Sequence, residues 1–201
     1  MPAEQVSQRI NALNSDLPMS KLKNGYLRED EINQSLIANE KPHVDNIIID
    51  ESEEITVNKI RSIADRISKE YDLKLIIIDY LQLIESERYT ENRNNELSRI
   101  SRGLKKLGRR YKVPVLALSQ LSRSLESRQD KRPILADLRE SGSLERDATQ
   151  VLFLHRHEVF NPDDIDVRGK AEIIIRKNRN GATGTINCNF IARTNKFIFN
   201  D

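Results

Sequence analysis

Two apolar runs in this sequence each end in a polar side chain that could do chemistry. Leu75-Ile76-Ile77-Ile78 is followed by Asp79, and Val115-Leu116-Ala117-Leu118-Ser119 by Gln120. Uninterrupted aliphatic runs of this length read as strands buried on both faces, so each polar group stands at a strand's carboxyl end. In open α/β sheets ligands collect at that edge. A carboxylate there can help hold the Mg²⁺ of a bound nucleotide, and an amide there can touch a terminal phosphate or its attacking water. Each position also has a plain reading, as a turn-favouring Asp and an amide bonded to backbone. Asn46-Ile47-Ile48-Ile49-Asp50 has the same form as the Asp79 run, so the pattern alone does not single out a metal ligand.

Basic residues supply the other candidates. Lys177 and Arg179 flank the turn chemistry of Asn180-Gly181-Ala182-Thr183-Gly184; two apart on an extended strand, they point to one side. The run from Arg123 to Arg132 is either a solvated loop or a nucleic-acid contact. Gly103-Leu104-Lys105-Lys106-Leu107-Gly108 has glycines at phosphate-loop spacing. Arg109-Arg110 replaces the required Lys-Ser/Thr, and the segment lies inside a helical stripe rather than after a strand. No other pair among the seven glycines fits. His155 and His157 have no matching ligands at zinc spacing.

These groups need a scaffold, and the periodicity predicts one. Val6, Ile10 and Leu13 mark a helix over 2–13, and Ile32, Leu36 and Ile37 one over 28–40, with a polar connection over 14–27. Residues 46–50 read as a strand. Thr56 is an N-cap for a helix reaching Tyr71, with Val57, Ile60, Ala64, Ile67 and Tyr71 on its stripe. The strand ending at Asp79 comes next, then a helix over 92–111 carrying Leu97, Ile100, Leu104, Leu107 and Tyr111, then the strand ending at Gln120. Alternating helices and wholly apolar strands predict parallel strands flanked by helices. Residues 121–136 read as a long mobile loop and 137–148 as a short helix. Strands over 151–154, 171–176, 185–190 and 196–199 predict antiparallel hairpins at the C-terminal end.

Composition narrows the class. The 201 residues suit one domain with room for a small appendage, and 37% hydrophobic with 32% charged residues suits a soluble globular protein rather than a disordered one. A net charge of +2 gives no global cationic field, so contacts to nucleic acid must be local. One cysteine, Cys188, excludes an internal disulfide framework and suits a reducing cytoplasm. No apolar run approaches the roughly 20 residues of a membrane span, and Met1-Pro2-Ala3-Glu4-Gln5 is no secretory signal. With no Trp, a stacking-driven single-strand binder is a poor fit.

Taken together the motifs resemble the DnaB family of replicative helicases across the whole chain. The resemblance is carried by Leu75–Ile84 with its Tyr80-Leu81-Gln82 continuation, by Pro114–Glu126, by Lys131-Arg132-Pro133 with Asp137–Glu145, and by Ala171–Ile175 with Lys177-Asn178-Arg179-Asn180-Gly181. It implies a RecA-like α/β core, incomplete at the N-terminus, spanning 1–201 as part of a motor domain. It implies that Asp79 helps hold Mg²⁺ with ATP and that Gln120 senses the γ-phosphate. Arg139, Glu140 and Gly142 would face the phosphates of single-stranded DNA inside a hexameric ring. Lys177 and Arg179 would reach the neighbouring subunit's nucleotide, Arg179 as the arginine finger. A helicase loader and a primase are the further partners implied. Asn178 departs from the family pattern, which has Gln there.

The family's phosphate loop and its water-activating glutamate precede the position matching Met1. The chain is therefore expected not to hydrolyse ATP by itself, and its sheet is expected to leave some apolar surface uncovered. The rival expectation from another class is a catalytically dead remnant that binds single-stranded DNA or interferes with an intact ring. A recombinase or circadian-type ATPase relative is a third.

Overall fold

The computed structural model describes residues 2–40, 46–86 and 92–199, with the side chains of 139–141 left out. In chain order the elements are α1 (Ala3–Ser15), α2 (Met19–Asn24), α3 (Glu29–Asn39), β1 (Ile55–Thr56), α4 (Val57–Glu70), β2 (Ile76–Ile78), β3 (Ile84–Glu85), α5 (Arg93–Tyr111), β4 (Val115–Ala117), α6 (Gly142–Asp147), β5 (Gln150–His155), β6 (Lys170–Asn178), β7 (Gly184–Ile191) and β8 (Lys196–Phe199). The chain divides into two compact units. One comprises Met1–Ser52, Arg156–Ile173 and Ile186–Asp201; the other comprises Glu53–His155 and Ile174–Thr185.

In the first unit polar bonds hold α1 to α3. The buried Asn11 amide donates to Ser35 O at 3.1 Å and to Asn39 Oδ1 at 2.7 Å. The connection predicted over 14–27 contains α2, which Gly25 ends at φ 72°, a conformation glycine adopts at no steric cost. Among the described residues the α3 stripe faces no core: Ile32, Leu36 and Ile37 are exposed, while Glu31 and Ala38 are buried. Near the C-terminus Ala171, Cys188 and Phe190 form a small core, Phe190 packing on Phe197 with ring centroids 4.8 Å apart. Burial pushes the Cys188 thiol above its usual range.

The second unit is built on α5. Its predicted stripe is buried from Leu97 at 1% exposure and Ile100 at 2% through Leu104 and Leu107, against Ile78, Leu81 and Ile84, while the last predicted member, Tyr111, is only half-buried. Thr56 caps α4 as expected, accepting from Lys59 N at 3.2 Å, but Tyr71, predicted on the buried stripe, follows the last helical residue in extended backbone and is exposed. Gly103 lets α4 and α5 approach, since a Cβ there would stand 2.8 Å from Val57 Cγ1; its place in the sequence reflects packing. At the other end of the helix pair Asp65 accepts from the Tyr111 hydroxyl at 2.8 Å and from Arg110 at 3.1 Å. The Tyr111 bond, with Arg110 beside it, holds the Asp65 carboxyl below its ordinary range.

Parallel pairing is confirmed for β2 with β4 (Ile76 opposite Val115), whereas β1 and β3, not expected as strands, form a separate parallel pair (Ile55 opposite Ile84). The strands from β5 onward form an antiparallel sheet in the order β5-β6-β7-β8. Three expectations change. Residues 46–50 form no strand, and Ile47 and Ile48 are half exposed; an apolar run becomes a strand only where a partner completes its ladder. In the β2/β4 pair Ile77 and Leu116 face outward at 60% and 47% exposure. Successive strand residues face opposite ways, so a wholly apolar run does not reveal which face is covered. Finally, 121–136 is not structureless. It carries a 3-10 turn over Arg123–Ser127 and leads into a second over Leu135–Ser141.

Candidate functional site

Asp79 stands where the sequence put it, at the carboxyl end of β2. With Ile78 opposite Ala117, Leu118 N donates to Ile78 O at 2.9 Å and Leu81 N to Leu118 O at 2.9 Å. Asp79 and Gln120 therefore leave adjacent parallel strands at the same edge. Both are exposed, and among the described residues the Asp79 carboxylate has no hydrogen-bond or ion-pair partner. An exposed carboxylate at this edge fits Mg²⁺, a cation held by few protein oxygens that keeps several waters. The peptide between Asp79 and Tyr80 is cis. Asp50 behaves as the plain reading has it: its Oδ1 accepts from Ser52 N at 3.1 Å in a local turn.

Gln120 opens a cleft of about 230 Å³ lined by Gln82, Gln120, Leu121, Ser122, Arg123, Asp137 and Leu138. Across it Ser122 N donates to Asp137 O at 2.9 Å. The strand end carrying Gln120 is thereby tied to the 135–141 turn that carries the candidate DNA residues. Sequence reasoning missed what fixes this turn. Asp137 is 3% exposed, and both its oxygens accept from Arg128, at 3.0 and 2.8 Å. Asp137 also accepts from Ile134 N at 2.8 Å, and Arg128 donates to Arg132 O at 2.8 Å. A bidentate pair is the strong form of this interaction, and it turns the basic loop into a closed structure. Nearby, Asp130 accepts from Arg132 N at 2.9 Å, a bond that holds its carboxyl below the usual range.

Removing Arg128 leaves the buried Asp137 charge unpaired. Because Arg128 is itself 30% exposed, the usual cost of breaking a buried pair is discounted, to about 2–4 kcal/mol. Arg128→Ala is expected to lower the melting temperature by about 5–10 °C and to open 123–137 to proteases. An unchanged melt and cleavage pattern would show that the pair does not order the loop.

Arg139 and Glu140 lie on the 3-10 turn over Leu135–Ser141, and their side chains are outside the described residues. Gly142 opens α6 at φ −53°. A Cβ there would meet nothing within 4 Å, so packing within the chain does not require glycine.

Lys177 and Arg179 do share a side, and the structure brings them to one place, the carbonyl end of α6. Lys177 Nζ donates to Glu145 O and, at 3.4 Å, to Arg146 O. Arg179 Nη2 donates to Arg146 O at 2.5 Å, and its backbone N–H to Thr149 O at 3.0 Å. Lys105 Nζ adds a bond to Asp147 O at 3.1 Å. Unpaired carbonyls and the negative end of the helix dipole make this a natural seat for cations. Each seated group keeps N–H donors to spare, since a guanidinium carries five. Asn178, the departure between them, closes the hairpin: its Nδ2 donates to Ala182 O at 3.1 Å, and its Oδ1 accepts from Gln150 Nε2 and Asn180 N, both at 3.2 Å.

Among the described residues no helix is long and apolar enough to cross a membrane. Comparison with known proteins agrees with the resemblance read from the motifs. The family model for the DnaB-like helicase C terminal domain matches residues 1–199. The "Replicative DNA helicase DnaB" of Buchnera aphidicola subsp. Acyrthosiphon pisum is 45% identical over 199 residues, 98% of this chain and 43% of that protein. The protein of the same description from Geobacillus stearothermophilus is 44% identical, covering 98% and 44%. The chain thus spans less than half the length of these curated relatives. Among solved structures, one described as an ATPase domain superposes with a TM-score of 0.92 at 34% identity, over 100% of this chain and 72% of that one. "The Structure Of A DnaB-Like Replicative Helicase And Its Interactions With Primase" gives 0.91 at 35%, over 98% and 48%. The fold is that of the RecA-like ATPase domains of DnaB-like helicases. Motifs, fold and relatives agree, and the chain belongs to the DnaB-like helicase C terminal domain family.

Proposed function

We propose that this chain forms the sensing and DNA-contacting part of the motor in an ATP-driven replicative DNA helicase, one that unwinds duplex DNA by moving along a single strand in the cytoplasm. The observation that supports this best is the connection from the Asp79 edge through Gln120 to the 135–142 segment: a change at a nucleotide's terminal phosphate has a short bonded path to the DNA side. In this reading Asp79 helps hold Mg²⁺ with ATP, and Gln120 reads the γ-phosphate. Arg139, Glu140 and Gly142 approach the DNA backbone. Lys177 and Arg179, seated on α6, present their remaining N–H groups to the nucleotide of the next subunit. A group that acts on a neighbour's nucleotide has no task in a monomer, so the reading carries with it a hexameric ring. The 35%-identical structure described with primase supports primase as a partner, and a helicase loader belongs to the same reading.

A motor must tolerate every sequence, so its DNA contacts fall on phosphates rather than bases. In a full-length helicase carrying this segment, Arg139→Ala is expected to weaken single-strand binding equally for unrelated sequences. The salt slope should fall by about 0.7 for each phosphate that the variant no longer neutralises, the single-strand value. Fluorescence anisotropy on several oligonucleotides across a salt series measures both. A loss confined to particular sequences, or none, would remove Arg139 from the DNA path.

A further inference from the structure

We infer that Gln82 is a positioning residue for the γ-phosphate sensor, holding Ser119 and Gln120 in register with the strand that carries Asp79. The inference rests on the helicase reading and adds to it a residue with no assigned role. The β2/β4 ladder stops at Leu118. Beyond it, among the described residues, the side-chain bonds that tie the end of β4 to the Asp79 side come from one amide. Gln82 Nε2 donates to Ser119 Oγ at 3.2 Å, and Gln120 N donates to Gln82 Oε1 at 3.4 Å.

That amide is itself held in place. Gln82 sits in the 3-10 turn Leu81–Leu83, half-buried between Leu81 at 3% and Ile84 at 1% exposure. Leu81 N is bonded to Leu118 O, and Leu83 N to Tyr80 O at 3.1 Å. The Gln82 carbonyl accepts from Arg93 Nη2 at 2.9 Å, and Arg93 is paired with Glu96 on the first turn of α5. The turn is therefore anchored to β4 and to α5, and its one side-chain amide bridges the two residues that follow the ladder. The Gln120 side chain is free of partners among the described residues, as a group that must meet a ligand should be. Its backbone is what is restrained, the N–H by Gln82 and the carbonyl by the Ser119 hydroxyl at 3.4 Å, which Gln82 itself holds. A sensor displaced by about 1 Å loses on the order of 10²-fold in rate, so a bridge of two modest bonds can matter more for turnover than for stability.

The test contrasts two changes of similar size in a full-length helicase carrying this segment. Gln82→Met fills the same volume and makes no bridge. Gln82→Glu keeps an acceptor for Gln120 N–H and one for the Ser119 hydroxyl, which can donate to it. Gln82→Met is expected to lower kcat for ATP by about 10- to 100-fold with KM within about twofold, and Gln82→Glu to stay within about threefold of the parent. Full activity in Gln82→Met, or equal losses in both variants, would overturn the inference while leaving the helicase reading intact. Should Gln82→Met not fold, Ser119→Ala removes half the bridge from the other side. A kcat loss of about threefold or more there supports the inference, and none overturns it. A parent protein without Asp79-dependent ATP turnover would refute the helicase reading itself, and the role of Gln82 with it.

Discussion

Arg179→Ala, in a full-length helicase carrying this segment, is expected to lower ATP turnover by about 10³- to 10⁵-fold, the range of an arginine finger. Nucleotide affinity should change little. The reason lies in where charge develops. The ground-state nucleotide is held mainly by the phosphate-binding machinery of its own subunit, whereas a finger stabilises charge on the transferred phosphoryl group and so acts on kcat. The structure adds a reason for its reach. Arg179 follows the last residue of β6, its backbone bonded to Thr149 O and one N–H seated on Arg146 O at 2.5 Å, so its side chain has lost freedom before any neighbour arrives. Lys177 on the same seat should show a smaller loss, because an ammonium is a point charge without the planar fork. Mixing Arg179→Ala with a phosphate-loop lysine variant of the same protein should restore part of the activity, since a mixed interface can join an intact loop to an intact finger. If subunits exchange and no mixing ratio restores turnover, Arg179 does not act in trans.

Asp79→Ala is the second large effect, expected on the order of 10²- to 10³-fold in kcat, as for other single electrostatic groups at a reacting centre. Here the loss should respond to Mg²⁺. With Asp79 removed, the metal concentration for half-maximal activity should rise, because one of its few protein ligands has gone while the nucleotide's phosphates still bind it. Stability should hold or improve slightly, as the carboxylate is exposed and has no partner among the described residues. A Mg²⁺ titration followed by turnover, with a melting curve of each protein, separates these effects. An unshifted Mg²⁺ dependence would mean that Asp79 ends its strand as Asp50 ends its turn, without touching metal.

The contrast between Asp79 and Asp50 shows how far residues and spacing go. Both follow a run of isoleucines; only the resemblance carried by Tyr80-Leu81-Gln82 singles out Asp79, and the runs themselves do not separate the two. The structure does: Ile76–Ile78 finds a partner in Val115–Ala117, whereas 46–50 finds none and its acid caps a turn. Gln82 was visible as part of an unusual motif, but its task depends on Ser119, 37 residues away. Lys177 and Arg179 were placed on one side of a strand by alternation alone. Their seat on Glu145 O and Arg146 O was not foreseeable, because it needs the end of α6 to arrive beside β6.

What the sequence determined by itself is what local rules govern. The 3.6-residue period fixed the buried face of α5, Thr56 marked the start of α4 by offering an oxygen to an unpaired N–H, and alternation and turn residues marked the last four strands. The tertiary structure alone decided which apolar run would pair, which face of β2 would be covered, that Arg128 would close the basic loop onto Asp137, and that Gln82 would bridge two strand ends. Each of these is a bond or a burial between residues that are not sequence neighbours, nine positions apart for Arg128 and Asp137 and 37 for Gln82 and Ser119. A strand's ladder and a buried charge's partner have no signature in the residues beside them, because the free energy that selects them belongs to the pair.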